Sequence, residues 1–256
     1  MIRAELKKYF KTRLFWILNG IGLLVLLLFS LLLLGMSQVG LSQITSYDYL
    51  LGATNFYITN FLPLLVCVFM AYAFASEYQW RTMMIPLLEG QSRLSILRGK
   101  LVLCLLTVFT FVGVALLVSI AIAFSFFPWN DTLLENRIIS PLEAILRISG
   151  ACLWLAILLA IFGILSMLLV ARFRHQILGV MGSFITFMLF VVTAEVHNNP
   201  LSPLFRVPRL MVQSANLSMA VLGVPLTQGI FLLVLLGGSM IGLLVFVFTR
   251  QDITFE

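Results

Sequence analysis

Between Glu77 and Lys100 the chain reads EYQWRTMMIPLLEGQSRLSILRGK, and this stretch concentrates the residue types able to engage a partner. Glu77, Arg81, Arg93, Arg98 and Lys100 supply charge, and Tyr78, Trp80, Met83, Met84, Ile85, Leu87 and Leu88 place apolar surface among them. Aromatic and arginine anchors often dominate docking energy, and an interfacial or partner-binding helix suits this mixture better than a solvated one does. A solvated hairpin is the competing reading. Catalytic chemistry is harder to find. Gly99-Lys100 lacks a glycine five residues earlier, and Leu101 stands where a phosphate-binding loop needs Ser or Thr. The only histidines, His175 and His197, fall on opposite membrane faces in the topology derived below, so they form neither a metal pair nor a catalytic couple. Gly182-Ser183 reads more readily as close helix packing than as a buried nucleophile.

The elements flanking the stretch are apolar. Phe56–Ala75 carries no charge, and Leu101–Phe127 is uncharged for 27 residues. Each exceeds or matches the roughly 20 residues that cross a bilayer core of about 30 Å. Between them, Ser76 and Gln79 have capping-box spacing, Glu89-Gly90 marks a stop, and Ser92-Arg93 opens another helix. The expectation is a short helix over Glu77–Leu88, bent or shortened by Pro86, followed by a sharp turn.

Composition places this stretch in a membrane protein: 61% of the 256 residues are hydrophobic and 10% charged, too few charges for a soluble domain. Continuous apolar runs without alternation exclude a β-barrel. Cys67, Cys104 and Cys152 all fall in apolar spans, which offers no disulfide framework and no metal spacing.

Residues 1–14 form a basic amphipathic helix, with Leu6 and Phe10 on its apolar side and Lys7 and Lys11 on its charged side, suited to an anionic leaflet. The apolar stretch behind it is too long for a signal peptide and lacks an A-x-A site, so it is read as a retained span. Spans are expected at about 15–36, 56–75, 101–127, 148–171, 177–194 and 229–249. Ser140-Pro141-Leu142-Glu143 signals a helix start, Glu143 and Arg147 are spaced to pair, and Arg172–Gln176 is a tight turn. The segment 195–228, broken by four prolines, holds a piece at Leu210–Val224 read as half-inserted or re-entrant.

Six spans put both termini on one side. That side holds five Lys/Arg at the N-terminus, four in the 77–100 loop, two in the tight turn and one in the tail, 12 of 16 in all, so it is the cytoplasmic side. The net charge of +6 is therefore sorted by membrane side and implies no nucleic-acid partner. No Asp, Glu, Lys or Arg lies near the middle of a span, which argues against a proton- or sodium-coupled carrier. Energy must enter from outside the spans.

The basic N-terminus, six spans, and the E-x-x-x-R-T and S-R-L-S-I-L-R-G-K motifs carried by Glu77, Arg81, Thr82, Arg93, Gly99 and Lys100 resemble the permease subunits of type-2 ATP-binding-cassette exporters, with the antimicrobial-peptide and drug branch the nearest in layout. The tail Arg250-Gln251-Asp252-Ile253 is also similar. The resemblance implies an all-α polytopic fold in a bacterial-type cell membrane, in which 1–256 is one permease domain. Its N-terminus would be an elbow helix (Leu6, Lys7, Phe10, Lys11), and 77–100 a coupling loop docking a separate ABC ATPase through Glu77, Tyr78, Trp80, Arg81, Thr82, Ile85, Leu88 and Arg93. Re-entrant helices would precede span 6. A second permease subunit and membrane lipids complete the implied assembly; this chain would bind no cofactor, ATP and Mg lying on the partner. A non-transporting scaffold or sensor worked by an ATPase, and a membrane-embedded enzyme, are the alternatives.

Overall fold

The computed structural model describes residues 7, 10–38, 44–79, 90, 92–129, 132–134, 137–194, 203–204, 207–208 and 224–250. Helix α1 spans Arg13–Gln38; α2, Ser46–Phe56, runs through a π-helical turn at Tyr57–Phe61 into α3, Leu62–Gln79. Then come α4 (Arg93–Phe126), a two-stranded ribbon of β1 (Thr132–Leu134) and β2 (Arg137–Ile139), α5 (Pro141–Phe173), α6 (Gln176–Ala194) and α7 (Val224–Arg250). Five of these helical stretches are long and apolar enough to cross a membrane, and α6 is a shorter apolar helix. The expectation of an all-α polytopic membrane protein therefore stands, with one small addition. The excursion after α4 folds into an antiparallel ribbon pairing Thr132 with Ile139 and Leu134 with Arg137.

Helix ends follow local chemistry. Ser92 caps α4 by accepting from the Ser95 amide, Ser140 caps α5 by accepting from the Glu143 amide, and Pro141 occupies the first turn where no donor is needed. The turn between α5 and α6 is made by Arg174, whose φ of +53° ends α5 in the left-handed region. The polypeptide ahead of residue 56 is helical too: Thr45 and Asp48 form a reciprocal capping box, so the second membrane helix starts at Ser46. At its other end the expected cap at Ser76 is not formed. The helix continues through Gln79, and the Ser76 hydroxyl donates to the Ala73 carbonyl, because nothing between 64 and 79 interrupts the helical ladder. Gly90 adopts φ +80°, a left-handed conformation that favours glycine; the part of the expected Glu77–Leu88 helix beyond Gln79, with Pro86, lies outside the described residues, as do the segment 209–223 and the tail 251–256.

Successive long helices alternate in direction. The end where Arg13, Gln79, Arg93, Phe173 and Arg250 lie is here called basal, and the other end distal. Helices α3 and α5 form the centre, and α1 and α7 flank it with long exposed apolar faces. Trp16, Leu24, Leu28, Leu31, Phe231 and Val234 are each about half exposed or more. An uninterrupted surface of that kind is stable only against lipid. Inside, hydroxyls staple helix to helix: Ser166 on α5 donates to the carbonyls of Cys67 on α3 (3.0 Å) and Gly179 on α6 (3.3 Å). Ser183, fully buried, donates to the Gly179 carbonyl of its own helix. Gly163, Gly179 and Gly182 sit at tight contacts within this chain, whereas a Cβ at Gly238 or Gly242 would meet nothing within 4 Å among the described residues. Cys67, Cys104 and Cys152 are free and buried.

At the distal end Ser46 donates to the carbonyls of Phe127 and Pro128, Tyr49 stacks on Phe127 at 4.6 Å, and the Tyr49 hydroxyl bonds Ser30 at 2.7 Å. Glu143 and Arg147 pair across one turn as their spacing requires, at 2.5 Å, with the Arg147 side chain buried. Trp154 donates to the Leu204 carbonyl, anchoring the 203–208 piece against α5.

Candidate functional site

Phe15, at the start of α1, stacks on Phe111 of α4 (5.5 Å) and meets Phe69 of α3 edge-on (5.6 Å). Glu77 stands eight residues beyond Phe69, and Lys100 eleven before Phe111, so at about 1.5 Å per residue they lie about 12–16 Å basal to Phe15. Helices α3 and α4 thus extend past the level of Phe15 as a stalk that ends, among the described residues, at Gln79 and Ser92.

Within this stalk is a buried ion pair. Lys100 Nζ lies 2.5 Å from Glu77 Oε1, with the two side chains 1% and 6% exposed. Carboxylate and ammonium are tolerated there because each supplies the other's counter-charge, and a hydrogen bond between charged groups is about twice as strong as a neutral one. The Lys100 ammonium also lies 5.9 Å from the ring centroid of Phe74, itself fully buried. Phe74 packs edge-on against Phe248 of α7 at 5.9 Å. Directly after the Ser92 N-cap of α4, Arg93 Nη1 donates to the Thr249 carbonyl at 3.0 Å, where the exposed C-terminal carbonyls of α7 favour a cation. Arg250 lies over the Phe246 ring at 4.3 Å. The basal ends of α3, α4 and α7 are consequently joined into one unit by an ion pair, an aromatic contact and a charged hydrogen bond.

Of the residues singled out in the sequence, Glu77 faces the interior of this unit rather than the surface, and half-buried Arg93 reaches across to α7. Tyr78 is in α3, but its side chain lies outside the described set, as do Trp80, Arg81, Thr82, Ile85 and Leu88. At the N-terminus Lys7, Phe10 and Lys11 are exposed, the Lys11 amide bonds the Lys7 carbonyl at 3.3 Å in a helical turn, and Trp16 donates to the Phe10 carbonyl; Leu6 lies outside. Sequence reasoning placed Lys100 in a motif but missed it as a site residue, along with Phe74, Phe248 and Thr249. The pairing of Glu77 with Lys100 crosses a loop, and no helical spacing announces it. Among the described residues no group of His, Cys, Asp and Glu is arranged to hold a metal.

An apolar helical bundle with lipid-facing flanks, and charged residues gathered at the basal ends of α3, α4 and α7, defines a multi-pass membrane protein. The family described as ABC-2 family transporter protein matches residues 1–193, three quarters of the chain, and the chain belongs to that family. It is accordingly a permease subunit of an ABC transporter, and membership implies an ABC ATPase partner. No curated protein and no solved structure matches it.

Proposed function

We propose that this chain is the permease subunit of an ATP-driven exporter, and that the 80–91 connection at the tip of the stalk docks the ATPase. The buried Glu77–Lys100 pair carries this reading. With the Arg93–Thr249 bond and the Phe74–Phe248 contact, it lets a displacement at the tip move α3, α4 and α7 together. Trp80, Arg81, Thr82, Ile85 and Leu88, with Tyr78 at the edge, supply the docking surface; Glu77 and Arg93 position it from behind. ATP and Mg bind the partner, where hydrolysis takes place, and this chain holds neither.

The gathering of Arg13, Arg93, Lys100, Arg172 and Arg250 at the basal end supports a cytoplasmic basal face with both termini inside, in a bacterial-type cell membrane. Exposed Lys7 and Lys11 beside Phe10 suit an elbow helix on anionic lipid. A second permease copy or paralogue completes the transporter, and the cargo is amphipathic or hydrophobic, of the antimicrobial-peptide, drug or lipid type. Co-expression with the cognate ABC ATPase and purification in detergent tests the reading: a stable complex is expected, with MgATP hydrolysis altered by the permease. Recovery of the intact permease with no ATPase would overturn it.

A further inference from the structure

The second membrane helix carries a polar stripe at hydrocarbon depth. Phe29 of α1 stacks on Phe56 at 4.4 Å and Phe15 meets Phe69, so α1 and the 46–79 helix run side by side in opposite directions. Interpolating between these contacts sets Asn60 level with about residue 24 or 25 of α1, the middle of that helix, and Asn55 about 7 Å toward the distal end. Both asparagines are exposed.

Local bonds satisfy only part of each amide. Asn55 Oδ1 accepts from the Thr59 hydroxyl at 3.0 Å, and Asn60 Nδ2 donates to the Phe56 carbonyl at 3.1 Å. Two amide N–H groups of Asn55, and one N–H with the carbonyl oxygen of Asn60, remain without a partner among the described residues. Acyl chains cannot meet those requirements, so polar groups at this depth face protein or water.

Backbone geometry at the same place reinforces the arrangement. The Leu62 amide bonds the Tyr57 carbonyl five residues back, and Pro63, which has no N–H, follows directly. Residues five apart in a regular α-helix diverge by about 140°, and a π-turn reduces that divergence. Asn55 and Asn60 are thereby turned toward one side, with half-buried Thr59 between them. No Asp, Glu, Lys or Arg of the described helices stands at this depth, so the stripe offers neutral donors and acceptors.

We infer that Asn55, Thr59 and Asn60 line a water-filled passage and hydrogen-bond uncharged polar groups of the transported solute, amides and hydroxyls rather than ions. The solute contact rests on the transporter reading above; the water contact does not. The test replaces Asn55 and Asn60 singly with cysteine in the full chain, co-expressed with its ATPase, and measures labelling by a membrane-impermeant, charged methanethiosulfonate in membrane vesicles. The native thiols are buried and set a low background. Leu31→Cys and Leu117→Cys, on apolar exposed positions of α1 and α4, report lipid-facing sites. Labelling of Asn55→Cys and Asn60→Cys is expected to be at least tenfold faster than at the leucine sites, in two variants that keep the parent's thermal stability. Rates equal to the leucine sites would overturn the inference, and so would slow labelling accompanied by a disulfide between two copies, which would make the stripe a dry contact. Fast labelling in a permease that retains no ATPase would leave the passage standing and remove the docking reading instead.

Discussion

Lys100→Ala lowers the stability of the detergent-solubilised protein by about 3–5 kcal/mol, the cost of removing the ammonium that faces a buried carboxylate. Glu77 has only 6% of its side chain exposed, and Phe74 and Phe248 beside the pair are apolar. Water cannot replace the ammonium without opening the contact between α3 and α4. For a chain of this size the loss corresponds to a fall on the order of 10 °C in unfolding temperature, readable by thermal scanning or by fluorescence-detected gel filtration. Replacing both partners with apolar residues of similar volume, Glu77→Leu with Lys100→Met, is expected to restore most of the stability, because no charge is then left unpaired. That double variant separates holding the helices together from whatever the charges do during the transport cycle. Lys100→Ala no less stable than the exposed-site variant Lys7→Ala would show that the pair is hydrated rather than buried.

Gly179→Ala produces the second large effect. A Cβ at this position collides with Val170 Cγ2, lies 3.1 Å from the Ser166 carbonyl oxygen and 3.4 Å from the Ala71 Cβ, so side chain and backbone of α5 close the space together with α3. The Ser166 backbone cannot swing aside as a side-chain tip can, and moving it strains the hydroxyl bridge to Cys67 and Gly179. Overpacking of this kind costs about 1–3 kcal/mol. Gly113→Ala on α4 provides the contrast: its Cβ meets nothing within 4 Å, and the gain in helix propensity is about 0.5–1 kcal/mol. Opposite shifts in unfolding temperature are expected for the two substitutions. A Gly179→Ala protein as stable as the parent would mean that the α5–α6 seam is looser than these distances indicate.

What the sequence disclosed depended on how local the signal was. The Ser140-Pro141-Glu143 start, the Glu143–Arg147 pair and the turn at Arg174 each lie within four or five residues, and each appears in the structure as expected. The same kind of local pattern misled at Ser76. There the serine had the spacing of a cap, but an uninterrupted apolar helix was already in progress, and extending it required no new nucleus. Thr45 and Asp48 carried a true cap that went unread, because residues 41–55 were weighed only for their lack of Lys and Arg. Tertiary relations had no such signal. Glu77 and Lys100 flank a loop whose geometry alone decides whether they meet, and Arg93 finds its acceptor on Thr249, 156 residues away. The π-turn at Tyr57–Phe61 likewise follows from a helix that Pro63 prevents from closing its regular ladder, within a run that carries no charge to mark the place.

Docking of the ATPase at the 80–91 connection is open to direct measurement. Glu77 is unsuitable for testing it, because its removal disturbs the buried pair as well as any docking surface. The direct measurement is recovery of the cognate ABC ATPase with the purified permease, comparing the parent with Trp80→Ala/Arg81→Ala/Ile85→Ala, alongside the thermal stability of each permease. Loss of the ATPase from a triple variant that unfolds at the parent's temperature is the predicted result. Full retention of the ATPase by that variant would contradict the account and move docking away from this loop.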